Sequence, residues 1–306
     1  MKRSTIQEYL AGLKGKRVAV IGIGVSNTPL IKMLLRAGVK VTACDKKPMS
    51  AFAGLAEELE SLGATLKLGE DYLEDLDFEV IFRTPGMRPD LPQLVAAQQK
   101  GAILTSEMEV FFQVCPCRTI AVTGSDGKTT TTTIIAELLK AAGETVYVGG
   151  NIGKPLLPDV DGMEPGDIAV LELSSFQLMT MDRSPNIAVV TNLAPNHLDV
   201  HKSMEEYIEA KENIFLHQSE QDLLVVNADN EITHGFAGEA QGRVAMFSRL
   251  SEPARGAFLR DGAIWVRNEM HERPVLPVSD ILLPGTHNVE NYMAAITALD
   301  GLVPDP

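Results

Sequence analysis

The stretch Gly124-Ser125-Asp126-Gly127-Lys128-Thr129-Thr130 constrains the fold more than any other. A β-rich run, Arg118-Thr119-Ile120-Ala121-Val122-Thr123, leads into it, and a helical pattern to about Ala142 leaves it. A strand feeding a glycine turn into a helix N-terminus gathers backbone N–H groups and the positive end of the helix dipole at one point, which suits a phosphate. Lys128 is spaced to reach the terminal phosphates of a nucleotide, and the Thr129 hydroxyl falls where such loops hold Mg²⁺. Val122 stands where the strict P-loop has its first glycine, so the motif is the shorter GxxGK[ST] form.

The N-terminal third carries a second glycine turn. Lys16 to Ile21 reads as a strand, Gly22-Ile23-Gly24-Val25-Ser26-Asn27 as a turn, and Pro29 fits the first turn of a helix to Arg36 that Gly38 ends. A second strand, Val39 to Cys44, closes on Asp45, where a dinucleotide-binding fold places its ribose acid. Asn27 replaces the third glycine of that fingerprint. The turn is therefore either a nucleotide or nucleotide-sugar phosphate site, or a tight βα turn capped by Ser26 or Asn27. Val80-Ile81-Phe82 followed by Arg83-Thr84-Pro85-Gly86 repeats the pattern of strand and small-residue loop. Alternating strands and helices imply a parallel sheet with both faces covered, whose ligands sit beyond the carboxyl ends of the strands. Gly22 to Asn27, Asp45 and Thr84 to Gly86 then share one rim. Ser106 caps a helix to about Gln113 and Pro116 breaks the chain, which predicts a domain boundary near 114–117.

Two domains fit a chain of 306 residues: 1–115, a Rossmann-like parallel sheet, and 116–306, a P-loop domain with a mainly parallel sheet. In the second, each hydrophobic strand ends in a polar cluster. Thr145 to Val148 runs to Gly149-Gly150-Asn151-Ile152-Gly153, Asp167 to Leu171 to Glu172-Leu173-Ser174-Ser175-Phe176-Gln177, and Asn186 to Thr191 to Asn192-Leu193-Ala194-Pro195-Asn196-His197-Leu198-Asp199. Glu172 is the acid best placed for Mg²⁺, a hard oxygen donor ending a strand parallel to that of the loop. From Ser203 to His217 a helical stripe of Tyr207, Ile208, Ile214 and Phe215 includes Lys211, which either snorkels or points inward for chemistry. An inward lysine loses pKa to desolvation, which frees its amine to react, for instance with CO₂. His197 stands out only through its company with Asp199 and Lys211. Short runs at Arg243–Phe247, Phe258–Arg260 and Ala263–Arg267, the last two joined by an Asp261-Gly262 turn, predict an antiparallel excursion before a final helix to about Ala298.

A formal charge of −14 without a Lys/Arg-rich run argues against a nucleic-acid partner. Cys44, Cys115 and Cys117 describe neither a disulfide framework nor a zinc site, which suits a reducing cytoplasm. No signal-peptide pattern and no apolar run of membrane-spanning length occurs, so neither export nor membrane insertion is expected.

Taken in order, Thr123 to Thr130, Gly150-Asn151-Ile152-Gly153, Glu172 to Gln177, Asn196-His197-Leu198-Asp199 with Lys211, and Gly285-Thr286-His287-Asn288-Val289-Glu290-Asn291 resemble the Mur ligase family over essentially the whole chain. Within it, the Glu-Leu-Ser-Ser-Phe-Gln-Leu run is most similar to ligases that join D-glutamate to UDP-N-acetylmuramoyl-L-alanine through an acyl phosphate. The resemblance implies a cytoplasmic, monomeric, ADP-forming enzyme of peptidoglycan precursor synthesis that uses ATP and two Mg²⁺ ions. By correspondence, Gly124 to Thr130 hold the ATP phosphates, and Asn288 and Asn291 hold adenine. Thr129 and Glu172 serve one Mg²⁺, while His197 and a carbamylated Lys211 serve the other. Asn151, Ser174 and Gln177 contact the muramyl-alanine end of the substrate, and Ser26, Asn27, Asp45 and Gly86 the UDP end. Ser125 replaces the commoner threonine and keeps its hydroxyl. Family members carry a third, amino-acid-binding domain. Ending at Pro304-Asp305-Pro306, the chain is expected to be truncated, binding UDP-sugar and ATP without completing ligation. The rival within the family is another Mur or folylpolyglutamate-type ligase. An NAD-dependent oxidoreductase is disfavoured by Asn27 and by the separate Lys128 loop.

Overall fold

Residues 4–194 and 201–303 are described by a computed structural model. The chain divides into two compact units, Met1–Pro116 with Lys154–Met163, and Cys117–Gly153 with Glu164–Pro306.

The first unit opens with α1 (Ile6–Leu13), started by a reciprocal capping box between Thr5 and Glu8. Then come β1 (Arg17–Ile21), α2 (Asn27–Arg36), β2 (Lys40–Asp45), α3 (Leu55–Ser61), β3 (Thr65–Leu68), β4 (Val80–Phe82), α4 (Pro92–Gln99), β5 (Ile103–Thr105) and α5 (Glu107–Val114). All five strands are parallel, in the order β3-β2-β1-β4-β5. The order reverses between β1 and β4, so the loops after these two strands flank the crevice where such sheets bind ligands. Gly22 is required there: its φ is +93°, and a Cβ would lie 2.9 Å from Cβ of Thr84. The segment Lys154–Met163 is anchored in this unit by the Leu157 N–H, which donates to the buried Glu107 carboxylate at 2.8 Å.

In the second unit the order is β6 (Arg118–Thr123), α6 (Lys128–Ala141), β7 (Val146–Gly150), β8 (Ile168–Glu172), α7 (Ser175–Leu178), β9 (Ile187–Val190), α8 (Met204–Glu212), β10 (Leu223–Asn227), α9 (Glu231–Gly235) and β11 (Arg243–Phe247). These strands form one parallel sheet, β11-β10-β9-β6-β8-β7. Strands β12 (Gly256–Arg260), β13 (Ala263–Arg267) and β14 (Glu272–Pro277) make a separate antiparallel sheet, and α10 (Thr286–Leu299) follows. Asp261 and Gly262 both have positive φ, as a type I′ turn demands.

One sequence expectation is corrected. Arg243–Phe247 pairs parallel with β10 and does not belong to the antiparallel excursion. As an edge strand it buries Ala245 and Phe247 while Val244 and Met246 are half-buried, so its sequence has the period of two that antiparallel strands show. The inner strands are buried on both faces. Ile120, Val122, Val170, Val189 and Val225 share a core with Ile135 and Leu139 of α6 and Met293 and Ile296 of α10. Each such side chain stabilises the fold by about 1.5–3 kcal/mol, which fixes the loop after β6 against a rigid floor.

Candidate active site

Gly124 (φ 151°) and Gly127 (φ 80°) bend the loop between β6 and α6. A Cβ at Gly124 would overlap the Thr191 hydroxyl, and one at Gly127 the Asn291 carboxamide oxygen, so both positions need glycine twice over. The Ser125 N–H donates to the Asn192 carbonyl at 2.8 Å, and the Asp126 N–H to Asn192 Oδ1 at 3.0 Å. The loop is thus braced by Asn192, and the first-turn N–H groups of α6, which have no intrahelical acceptor, are the donors that could meet an anion. Ser125 Oγ accepts from the Ala194 N–H, lies 3.0 Å from the Ala194 carbonyl and 3.1 Å from the Tyr207 hydroxyl. Its side chain anchors the loop, and only its backbone faces the turn.

Lys128 opens α6 and donates from Nζ to the carbonyls of Gly124 (3.0 Å) and Ser125 (2.9 Å). Burial pushes its pKa down, opposed by Glu172 and Asp126. Thr129 Oγ1 donates to Glu172 Oε2 at 2.6 Å, and Asn151 Nδ2 to Glu172 Oε1 at 2.8 Å. The Asn151 N–H also reaches the Glu172 carbonyl at 2.8 Å. Glu172, at 2% exposure, therefore sits at the end of β8 with both carboxylate oxygens oriented by neighbours from the loop helix and the β7 end. Thr130 lies half-buried in the same first turn.

Lys211 points inward, at 1% exposure, and does not snorkel. Its Nζ donates to Thr123 Oγ1 and to the Gly124 carbonyl, each at 3.0 Å, and lies 4.9 Å from the Tyr207 ring centroid. Two ammonium groups, of Lys128 and Lys211, share the Gly124 carbonyl. Burial first and Lys128 second push the Lys211 pKa down to about 7, against the pull of Glu172.

Ser174 and Gln177 are occupied with each other. Ser174 Oγ accepts the Gln177 N–H at 3.3 Å, and Gln177 Oε1 accepts the Ser174 N–H at 3.0 Å, a capping box at the head of α7. Asn291 accepts from Thr131 at 3.2 Å and donates to Asn288 Oδ1 at 3.1 Å, which places this pair against the first turns of α6. His197 and Asp199 lie outside the described residues. Among the described residues no group of three or more His, Cys, Asp or Glu side chains could hold a metal ion.

The remaining residues singled out in the sequence lie in the first unit, on its own sheet rim. Ser26 takes the N-cap position of α2 with helical backbone and no capping bond from its side chain. Asn27, 1% exposed, donates from Nδ2 to the Ile21 carbonyl at 2.9 Å, while its buried Oδ1 has no hydrogen-bond partner among the described residues. Asp45 accepts the Ile23 N–H at 2.7 Å and the Lys47 N–H at 2.9 Å, so it braces the glycine turn. Gly86 sits in the turn after β4, where the Arg83 guanidinium donates to the carbonyls of Pro85 and Met87.

In the sequence Thr191 and Asn192 stood out only as a strand end and the head of its polar cluster, and His201 was passed over although it is a second histidine four residues after His197. A cavity of about 450 Å³, lined by Leu138, Val266, Val275, Ile296 and Leu299, lies at the far end of α6 from the loop and contains none of these residues.

Comparison with known proteins agrees with this geometry. Residues 122–299 match the Mur ligase middle domain. UDP-N-acetylmuramoylalanine--D-glutamate ligase of Acetivibrio thermocellus is 52% identical over 295 residues, and that of Ruminiclostridium cellulolyticum 53% over 294, each covering 96% of this chain. The chain spans 63% of the length of these relatives. Among solved structures, UDP-N-acetylmuramate:L-alanyl-gamma-D-glutamyl-meso-diaminopimelate ligase from Neisseria meningitides has the same fold, with a TM-score of 0.61 at 20% identity over 95% of this chain and 94% of that one. With the phosphate loop, the strand-end acid and the buried lysine all lying inside or bordering the matched region, the chain belongs to the Mur ligase family.

Proposed function

We propose that this chain is the nucleotide- and UDP-sugar-binding part of an ADP-forming ligase that joins D-glutamate to UDP-N-acetylmuramoyl-L-alanine in peptidoglycan precursor synthesis. The observation that carries the reading is the convergence of Lys128, Thr129, Glu172 and Lys211 where β6 and β8 end. The names of the relatives supply the substrate. Residues 1–115 take the UDP-sugar through the Ser26, Asn27, Asp45 and Gly86 rim, and 116–306 take ATP. D-glutamate completes the reaction in the full-length protein.

The chemistry must bring a carboxylate to a triphosphate. A carboxylate oxygen of the alanine bonds to the γ-phosphorus as the bond to the β-phosphate oxygen breaks, giving an acyl phosphate and ADP. The amine of D-glutamate then attacks the acyl carbon, loses a proton and expels phosphate. Lys128 lies where it can leave the loop carbonyls for the β- and γ-phosphates, and the head of α6 offers N–H donors to the same oxygens. By resemblance to the family, Asn288 and Asn291 would hold adenine, and Asn151, Ser174 and Gln177 would contact the muramyl-alanine end of the substrate.

Mg²⁺ fits part of this donor set. Thr129 Oγ1 and the Glu172 carboxylate are hard oxygen donors already 2.6 Å apart, and Mg²⁺ is commonly held by one or two carboxylates together with substrate phosphates. A second ion would use His197 and Lys211, the latter only once its amine has become a carbamate. When bound, Mg²⁺ neutralises charge on the phosphate oxygens. With its pKa near 7, Lys211 holds a large neutral fraction at physiological pH, and that amine adds to CO₂ with loss of a proton. No helix among the described residues is long and apolar enough to cross a membrane. Dependence on ATP places the reaction in the cytoplasm, and one copy of the chain supplies the loop, acid and lysine, so a monomer suffices.

The deciding experiment is ADP release by the full-length protein with UDP-N-acetylmuramoyl-L-alanine and a panel of amino acids. D-glutamate-dependent release is expected. Release driven by another amino acid, or by a folate acceptor, would move the chain to another member of the family.

A further inference from the structure

His201 is buried at 2% exposure just before α8 and touches both short helices that border the loop. Its Nε2 lies 2.8 Å from Ser175 Oγ at the first residue of α7. Its ring stacks on Phe176 at 5.2 Å and 16°, and meets the Tyr207 ring edge-on at 5.2 Å and 71°. Its Nδ1 is 3.5 Å from Glu206 Oε2, which also accepts the Lys202 N–H at 2.8 Å. One imidazole therefore joins the head of α7 to the first turn of α8.

What lies beyond those two helices gives the contact its consequence. Ser175 follows Ser174, the cap of α7, and stands three residues after Glu172. Tyr207, whose ring His201 flanks, holds Ser125 of the phosphate loop through its hydroxyl at 3.1 Å. The same ring lies under Lys211 Nζ at 4.9 Å, one turn further along α8. Hydrogen bonds and ring contacts thus run from Ser175, three residues beyond Glu172, through His201 and Tyr207 to the loop and Lys211. A side chain of two rotatable bonds, hydrogen-bonded at Nε2, with Nδ1 near the Glu206 carboxylate and its ring packed against two aromatic rings, has little freedom to let these parts drift.

We propose that His201 is a positioning residue for the ligase site: it clamps α7 to α8 and so fixes Tyr207, Ser125 and the Lys211 amine relative to Glu172. The inference rests on the reading of Lys211, Glu172 and the loop as reaction machinery, and it adds a residue that touches neither nucleotide nor sugar.

The test compares His201→Ala with His201→Gln, whose carboxamide reaches about as far as Nε2 and can still bond Ser175. In the full-length ligase, His201→Ala is expected to lower kcat on the order of 100-fold, the loss that a displacement of about 1 Å produces, with KM for ATP nearly unchanged. His201→Gln is expected to recover most of that rate. A fall in rate that only tracks loss of folded protein, with Gln no better than Ala, overturns the proposal. Hydrogen exchange on the present chain supplies a readout independent of activity. His201→Ala should speed exchange at 124–127 and along α8 while leaving β6 and β8 protected. Unchanged exchange there overturns the clamp, whatever the assay shows. Failure of the functional reading itself looks different: wild-type protein then releases no ADP, while the exchange result still reports on His201.

Discussion

Lys211 concentrates the chemistry of this chain in one atom, because burial and a neighbouring ammonium both act to strip its proton. Its folded pKa is near 7, whereas an unfolded chain restores the ordinary value of about 10.4. Between those values the unfolded state binds more protons, so stability rises with pH from about 7 upward, by up to about 1.4 kcal/mol per pH unit from this group. Lys211→Met should remove that rise. Denaturant midpoints at pH 7, 8 and 9 for both proteins measure it, since all other titrating groups are common to the two. Equal slopes would mean that the lysine titrates normally. If Lys211 is carbamylated in the full-length enzyme, Lys211→Ala should lose activity and regain part of it with added short carboxylates; no recovery argues against carbamylation. Lys128→Ala acts on a different step. Its ammonium opens α6 and donates to the Gly124 and Ser125 carbonyls of the loop, so ATP binding in calorimetry should vanish, and unchanged affinity would refute the phosphate site.

Among the elements, β7 approaches the Glu172 end of β8 through backbone. Gly150 has φ +93°, and a Cβ there would collide with the Glu172 carbonyl. Gly150→Ala should therefore cost on the order of 1–3 kcal/mol from backbone strain, and it should also move Glu172 away from Thr129. A variant with wild-type stability and unimpaired nucleotide binding would show that the β7 end is free to yield. Such close approaches are where the sequence becomes hard to read. Strand β6 was legible to the residue, because a run buried on both faces and closed by a glycine loop has one reading. The inward turn of Lys211 was legible as an alternative, because it interrupts an apolar stripe. The parallel pairing of Arg243–Phe247 was not, since a partner 20 residues away along the chain decides it and an edge strand mimics the antiparallel period. Nor was the bracing of the loop by Asn192, where a backbone carbonyl and a carboxamide meet N–H groups nearly 70 residues earlier. Periodicity carries no information about contacts of that separation.

At the scale of the molecule, the two units each have a sheet and a hydrophobic core of their own, and the chain passes between them after Pro116, Gly153 and Met163. Segregation of the cores means that ligands for the two rims should protect separable sets of amides. ATP with Mg²⁺ should slow hydrogen exchange in the loop 124–127, α6 and the β8 end. UDP should instead slow it in residues 22–27, 84–87 and the start of α2, where the Asn27 carboxamide oxygen is buried without a hydrogen-bond partner among the described residues. At 100 times Kd, either ligand stabilises the unit that binds it by about 2.7 kcal/mol. Lys128→Ala should erase the first pattern and leave the second intact, because Lys128 and residues 22–27 and 84–87 belong to different units. If UDP leaves 22–27 unprotected, the incomplete glycine fingerprint is only a tight turn held by Asp45. If Lys128→Ala abolishes both patterns, UDP is being held at the ATP site, and the assignment of the two ligands to two units fails.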